Sequence, residues 1–160
     1  MSHTEADTAR MIVEHHAHLA RELDQRIDAL IGLVDTGHLI KAEGARQDLL
    51  SFVRHEVLPH ARAEEQALYP PAAAQPEGRL LVSGMVAENH ALTALVAELA
   101  DAASLVRAAA TARALGALFA VHLHKENDLV LPLLVATPDV TLGTILAGMH
   151  ELLGADPVAV

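Results

Sequence analysis

Two stretches of the chain, HARAEEQALYP at residues 60–70 and HLHKENDLVLP at residues 122–132, share one pattern: His, three residues, Glu, five residues, Pro. A His and a Glu four apart on a helix stack one above the other on the same face. Each stretch therefore offers an imidazole nitrogen and a carboxylate oxygen to a common point. Each also has an upstream counterpart, because MIVEHH at residues 11–16 lines up with MVAENH at residues 85–90, pairing His16 with His90 and His15 with Asn89. The repeated unit is a histidine followed by a His–Glu pair, which singles out His16, His60 and Glu64 in the first half and His90, His122 and Glu126 in the second. Imidazole with carboxylate suits non-haem iron, and manganese or zinc would accept the same donors. The chain has no cysteine, so a thiolate site, a disulfide framework and a Cys nucleophile are all excluded.

Burying such imidazoles and carboxylates in a helical core costs on the order of several kcal/mol unless they are hydrogen-bonded or bound to a cation. A metal ion supplies the missing partner. Two sets on a roughly two-fold arrangement predict two irons. If Glu64 and Glu126 both bridge, the side chains fill about eight of twelve octahedral positions, an oxo or hydroxo bridge takes about two more, and the remainder is open to an exogenous ligand. Around this set, Glu56 precedes His60 by one turn and is a candidate to orient it or to bind as an extra ligand. His15 is a candidate for an orienting or proton-transfer role, and Tyr69 for a proton or electron donor, with helix-end packing as its plainer role. His18, His55 and His124 are expected at the rim or in solvent, and His3, His38 and His150 near termini or loops. Pro59 removes a helical hydrogen bond, at a usual cost of about 3 kcal/mol or more, so a kink is expected beside His60.

The elements that must position these residues are helices. Only 2% of the residues are aromatic while 52% are hydrophobic, dominated by Ala, Leu and Val, a mixture that suits close-packed helices better than pleated strands. Turn residues divide the chain into segments at 5–34, 41–68, 79–102 and 105–134, with a shorter amphipathic segment at 142–153 and a loose tail. The first half is the longer, its extra residues falling around 35–44. On the first segment Ile12, His16, Leu19, Leu23, Ile27 and Leu30 form one apolar stripe; on the second, Leu49, Val53, His60, Glu64 and Ala67 do so; on the fourth, Leu115, Leu118, Phe119, His122, Glu126, Leu129 and Leu133. The expected fold is all-α: an up-and-down antiparallel four-helix bundle with a short C-terminal fifth helix that caps it or meets a second copy. One domain spans residues 1–160, with its core at about 11–134 and a C-terminal extension at 135–160.

The formal charge of −10, with 11 Lys and Arg against 21 Asp and Glu, argues against nucleic acid or an anionic membrane surface as partner. No run of 18 apolar residues and no basic-then-apolar leader is visible, so a cytoplasmic protein is expected.

These residues resemble the hemerythrin-like family, the hemerythrin HHE cation-binding domain, over residues 11–134. HARAEEQALYP and HLHKENDLVLP look like its two metal-binding helices with their closing Pro. The resemblance implies metal ligands at His16, His60, Glu64, His90, His122 and Glu126, an up-and-down four-helix bundle, and a non-haem di-iron centre that meets dioxygen, peroxide or nitric oxide. Oxygen-carrying members have a further His where this chain has Ala94, and an Asp where it has Asn127. The resemblance is therefore closer to hemerythrin-like proteins of oxidative or nitrosative stress or iron handling, and to the metal-binding half of di-iron repair proteins. Three functions stand side by side: a binding or sensing protein, a catalase-like or oxidase enzyme, and a metal-independent helical interaction module.

Overall fold

The computed structural model describes residues 4–155, and these form helices joined by short turns, with no strand among them. His3 and the expected loose tail lie outside the described residues. The helices are α1 (Glu5–Asp35), α2 (Leu39–Phe52), α3 (Leu58–Ala67), α4 (Tyr69–Ala73), α5 (Gly78–Asp101), α6 (Leu105–Lys125), α7 (Leu131–Ala136) and α8 (Leu142–Ala155). Thr4 starts α1 with a capping box, its hydroxyl accepting from the Asp7 amide while the Asp7 carboxylate accepts from the Thr4 amide. Ser104 caps α6 by accepting from the Arg107 amide. Gly37 turns the chain between α1 and α2 at φ 73°, a left-handed conformation that glycine adopts without steric cost.

Two of the expected helices are continuous but not uniformly α. A π-helical turn, Val53–Val57, joins α2 to α3, and a second, Glu126–Val130, joins α6 to α7. Each closes with a backbone bond five residues back, from Leu58 N to Val53 O and from Leu131 N to Glu126 O. Pro59 and Pro132 follow at once, and the cause is local. Neither proline can donate to the carbonyl four residues back, and its ring would clash there, so the wider turn relieves both problems. Pro132 therefore does not close the last helix, which runs on to Ala136. Pro70 and Pro71 likewise sit in the first turn of α4, where a missing N–H costs nothing.

The π turns also shift helical phase. Past Glu126 the inward residues are Val130, Leu131 and Leu134, all buried, while Leu129 is 50% exposed. The expected stripe through Leu129 and Leu133 is thus displaced by one residue. Glu56, expected on the stripe of His60, lies exposed in the first π turn, where it neither joins nor faces the core.

Contacts run from α1 to α2, from α2 to α5, from α5 to α6, and from α6 back to α1. α8 packs on α3 and α1, burying Leu142 and Met149, and the Glu5 carboxylate accepts from the Leu142 amide at 2.7 Å. The C-terminal segment thus packs against α1 and α3 of the same chain. The core divides into two apolar clusters, one including Leu19, Val57, Leu92 and Phe119, the other including Ile12, Leu68, Met85 and Val130. Between them, one turn along every long helix, lies a layer of buried polar side chains. Gly78–Asp101 and the run Leu105–Ala136 are long and apolar enough to cross a membrane by length and composition, a criterion that core helices of a helical protein also meet.

Candidate metal centre

The polar layer collects His16 from α1, His60 and Glu64 from α3, His122 from α6 and Glu126 from the second π turn, each at most 4% exposed. His16 Nε2 lies 2.9 Å from Glu64 Oε1 and 4.0 Å from Glu126 Oε2. His60 Nε2 approaches the same Glu64 oxygen at 3.1 Å, and His122 Nε2 approaches Glu126 Oε1 at 3.2 Å. Two groups of donors can each hold a cation: His16, His60 and Glu64, and Glu64, His122 and Glu126, with donor atoms within 4.8 Å of one another. Glu64 belongs to both.

His90 is not part of this layer. It is exposed on α5, and the buried residue at that level is Asn89, 7% exposed. The correction is one of helical phase. The buried positions of α5 are Met85, Asn89, Leu92 and Val96, the same spacing as Ile12, His16, Leu19 and Leu23 on α1, so Asn89 occupies the place that His16 holds in the first half. Aligning MIVEHH with MVAENH by identity set the second half one residue out of register. Ala94 is accordingly exposed, and one turn beyond Asn89 stands Thr93, whose hydroxyl donates to the Asn89 carbonyl.

The imidazoles are held from behind. His16 Nδ1–H donates to Asn127 Oδ1 at 2.7 Å, and His122 Nδ1–H donates to Glu88 Oε2 at 3.1 Å, with Glu88 itself paired to Lys125. In both rings this turns Nε2 toward the carboxylates, the arrangement that fixes tautomer and direction in metal-binding histidines. His15 is partly exposed, and its ring meets that of His60 edge-on at 4.9 Å between centroids. Tyr69 is buried, its hydroxyl donating to Glu126 Oε1 at 2.5 Å and lying 3.2 Å from His122 Nε2. Its helix-end packing is real, but the hydroxyl also ends in the polar layer. Asn127, Glu88 and Asn89 were not among the expected site residues. Helical phase on α5 could have flagged Asn89, whereas Asn127 and Glu88 meet their histidines across helices and leave no such signal.

Electrostatics follow from burial and pairing. Burial is the largest single influence on His16 and opposes its charge, but the hydrogen bond and charge of Glu64, the charge of Glu126 and the bond to Asn127 together outweigh it and lift its pKa to about 9. Burial would raise Glu64, yet His60 and His16 hold it well below the usual carboxylate range. Glu126 is pushed up, by burial and then by the charge of Glu64. Burial together with the facing carboxylates also raises Tyr69. His15 is pushed down to about 4 by burial and by His60 and His16 beside it.

Do these residues fit a cation? Three buried atoms at the layer, His60 Nε2, Asn89 Oδ1 and Glu126 Oε2, have no hydrogen-bond partner. The 3.1 Å approach of His60 to Glu64 is close enough for an ion pair but is not aligned as a hydrogen bond. Each such atom costs about 1–3 kcal/mol if nothing satisfies it. Each can present a lone pair, and His60 and Glu126 each belong to a donor group that can hold a cation, so the donor set fits. Asn127→Ala should leave the fold intact and weaken metal binding about 10- to 100-fold, because His16 loses the partner that aims it; isothermal titration of the variant with a divalent metal checks this.

Residues 7–134 match the family model described as Hemerythrin HHE cation binding domain. No curated protein and no solved structure gives a significant match to the chain.

Proposed function

The chain belongs to the hemerythrin HHE cation-binding domain family, and from that premise we propose that it is a non-haem di-iron protein that reacts with or senses dioxygen, peroxide or nitric oxide. The observation that carries the two-ion reading is Glu64, a buried carboxylate common to both donor groups. In this reading His16 and His60 would hold one ion and His122 and Glu126 the other, Glu64 being available to both, and an oxo or hydroxo group would complete the set. Three imidazoles then serve where four were expected. Manganese or zinc would accept the same donors. The ring of contacts among α1, α2, α5 and α6 supports an up-and-down four-helix bundle around the centre.

Bound iron would supply a redox-active Lewis acid. The chain's own part is to orient, exclude water and hold protons. Asn127 and Glu88 aim the two outer imidazoles, and the two apolar clusters seal the layer above and below. A cavity of about 220 Å³, lined mainly by apolar side chains of α1 and α8, including Met11, Ile12, Leu146 and Met149, reaches His15 and His60. Such a wall favours small uncharged molecules over ions. One observation favours an enzymatic reading of the same centre, catalase-like or oxidase. The Tyr69 hydroxyl holds its proton between Glu126 and His122, where it is placed to donate it.

Anaerobically purified protein should carry about two irons per chain and an oxo-bridged near-ultraviolet band that changes on addition of peroxide or nitric oxide. Oxygen evolution during the peroxide addition would favour the enzyme over the sensor. Protein that accepts neither iron, manganese nor zinc would overturn the proposal.

A further inference from the structure

The two donor groups are chemically unlike. One offers two imidazole nitrogens and a carboxylate, from His16, His60 and Glu64; the other offers a single imidazole and two carboxylates, from His122, Glu64 and Glu126. Asn89 holds on α5, in the second half of the repeat, the place that His16 holds on α1. It comes from α5, which packs on the α6 helix that carries His122, and its amide neighbours the Tyr69 hydroxyl that bonds Glu126. It is more than nine-tenths buried. Glu65 accepts from its Nδ2 at 3.2 Å, which pins the amide and leaves Oδ1 without a partner.

The place that on α1 carries an imidazole thus carries a neutral amide oxygen on α5. Imidazole binds borderline divalent metals strongly, whereas an amide oxygen is a weak donor better suited to hard cations. Access differs as well. A cavity of about 340 Å³ reaches Asn89, lined by Glu65, His90 and Thr93 together with Leu58, Ala61 and Arg62, so this side of the layer has an opening of its own, separate from the one at His60.

We propose that the centre is asymmetric by construction: the ion at His16, His60 and Glu64 is held tightly, while the ion at Glu64, His122 and Glu126 exchanges, with Asn89 as the residue that sets the difference. This rests on the two-ion reading above.

The test loads the full chain anaerobically with Co²⁺ and titrates it with a chelator, following bound metal and the cobalt absorption together. The wild type should release cobalt in two phases, with a plateau at about one ion per chain. Asn89→Asp, which keeps the volume and adds a charged donor, and Asn89→His, which restores an imidazole, should each shift the second-site phase toward the first by about tenfold or more in chelator concentration. Far-ultraviolet circular dichroism checks that both variants fold, and either one alone decides the result. Two ions leaving the wild type in a single phase would overturn the asymmetry and leave the two-ion reading standing. A two-phase release unaltered in the folded variants, or a shift confined to the tighter phase, would overturn the role of Asn89. A chain that binds no cobalt, iron or other metal would overturn both readings.

Discussion

Glu64→Gln is expected to empty both metal positions, while His124→Ala leaves both filled. Glu64 is 1% exposed and is the one side chain common to both donor groups. Its Oε1 faces His16 Nε2 at 2.9 Å and His60 Nε2 at 3.1 Å. The amide keeps the volume but loses the negative charge, so each position loses a charged donor at once. A buried pair broken on one side costs about 3–5 kcal/mol, and the pair of Glu64 with His16 is the one the substitution breaks. His124 by contrast is 75% exposed and paired with Asp128 along the surface of its own helix. Metal content per chain, measured side by side on the two variants, decides the point. Equal retention in both would remove Glu64 from the centre.

The contrast between those two histidine–carboxylate pairs also marks what was legible in the sequence. His122–Glu126 and His124–Asp128 have the same spacing, and only the apolar stripe through Leu115, Phe119 and Leu123 separates the buried pair from the solvated one. Phase is the informative signal within each uninterrupted α-helix. On α1 it named every buried residue from Ile12 to Leu30, His16 among them. On α5 the match was drawn by residue identity, and His90 was set inward although Met85, Leu92 and Val96 put Asn89 there.

The π turns were less accessible, because the extra residue per turn is a response to proline within a packed helix and leaves composition unchanged. Val57-Leu58-Pro59 and Val130-Leu131-Pro132 end both of them. That repeated tripeptide is the trace they leave in the sequence, and Pro59 alone predicted only a kink. Cross-helix partners such as Asn127 to His16 and Glu88 to His122 depend on how neighbouring helices are rotated. Periodicity within one helix carries no such information.

Removing the metal should lower the melting temperature steeply without melting the helices at room temperature. An ion held at about a thousand times its dissociation constant stabilises the folded chain by about 4 kcal/mol. In a domain of this length each kcal/mol moves the midpoint by about 2–4 °C, so chelation is expected to cost roughly 8–16 °C per tightly held ion. The chelated chain should nonetheless remain folded. Its two apolar clusters do not involve the metal, and the pairs His16–Glu64 and His122–Glu126, with Tyr69 on Glu126, satisfy much of the layer by themselves. What the pairs leave unsatisfied are His60 Nε2, Asn89 Oδ1 and Glu126 Oε2, and those atoms are where the ions act. Thermal unfolding followed by circular dichroism, with and without chelator, separates the alternatives. A large drop from an unchanged starting signal fits a metal centre built into a pre-formed helical frame. An unchanged midpoint would mean that the repeated His–Glu pairs are packing devices, and the chain would then be a helical interaction module whose fold does not depend on a metal.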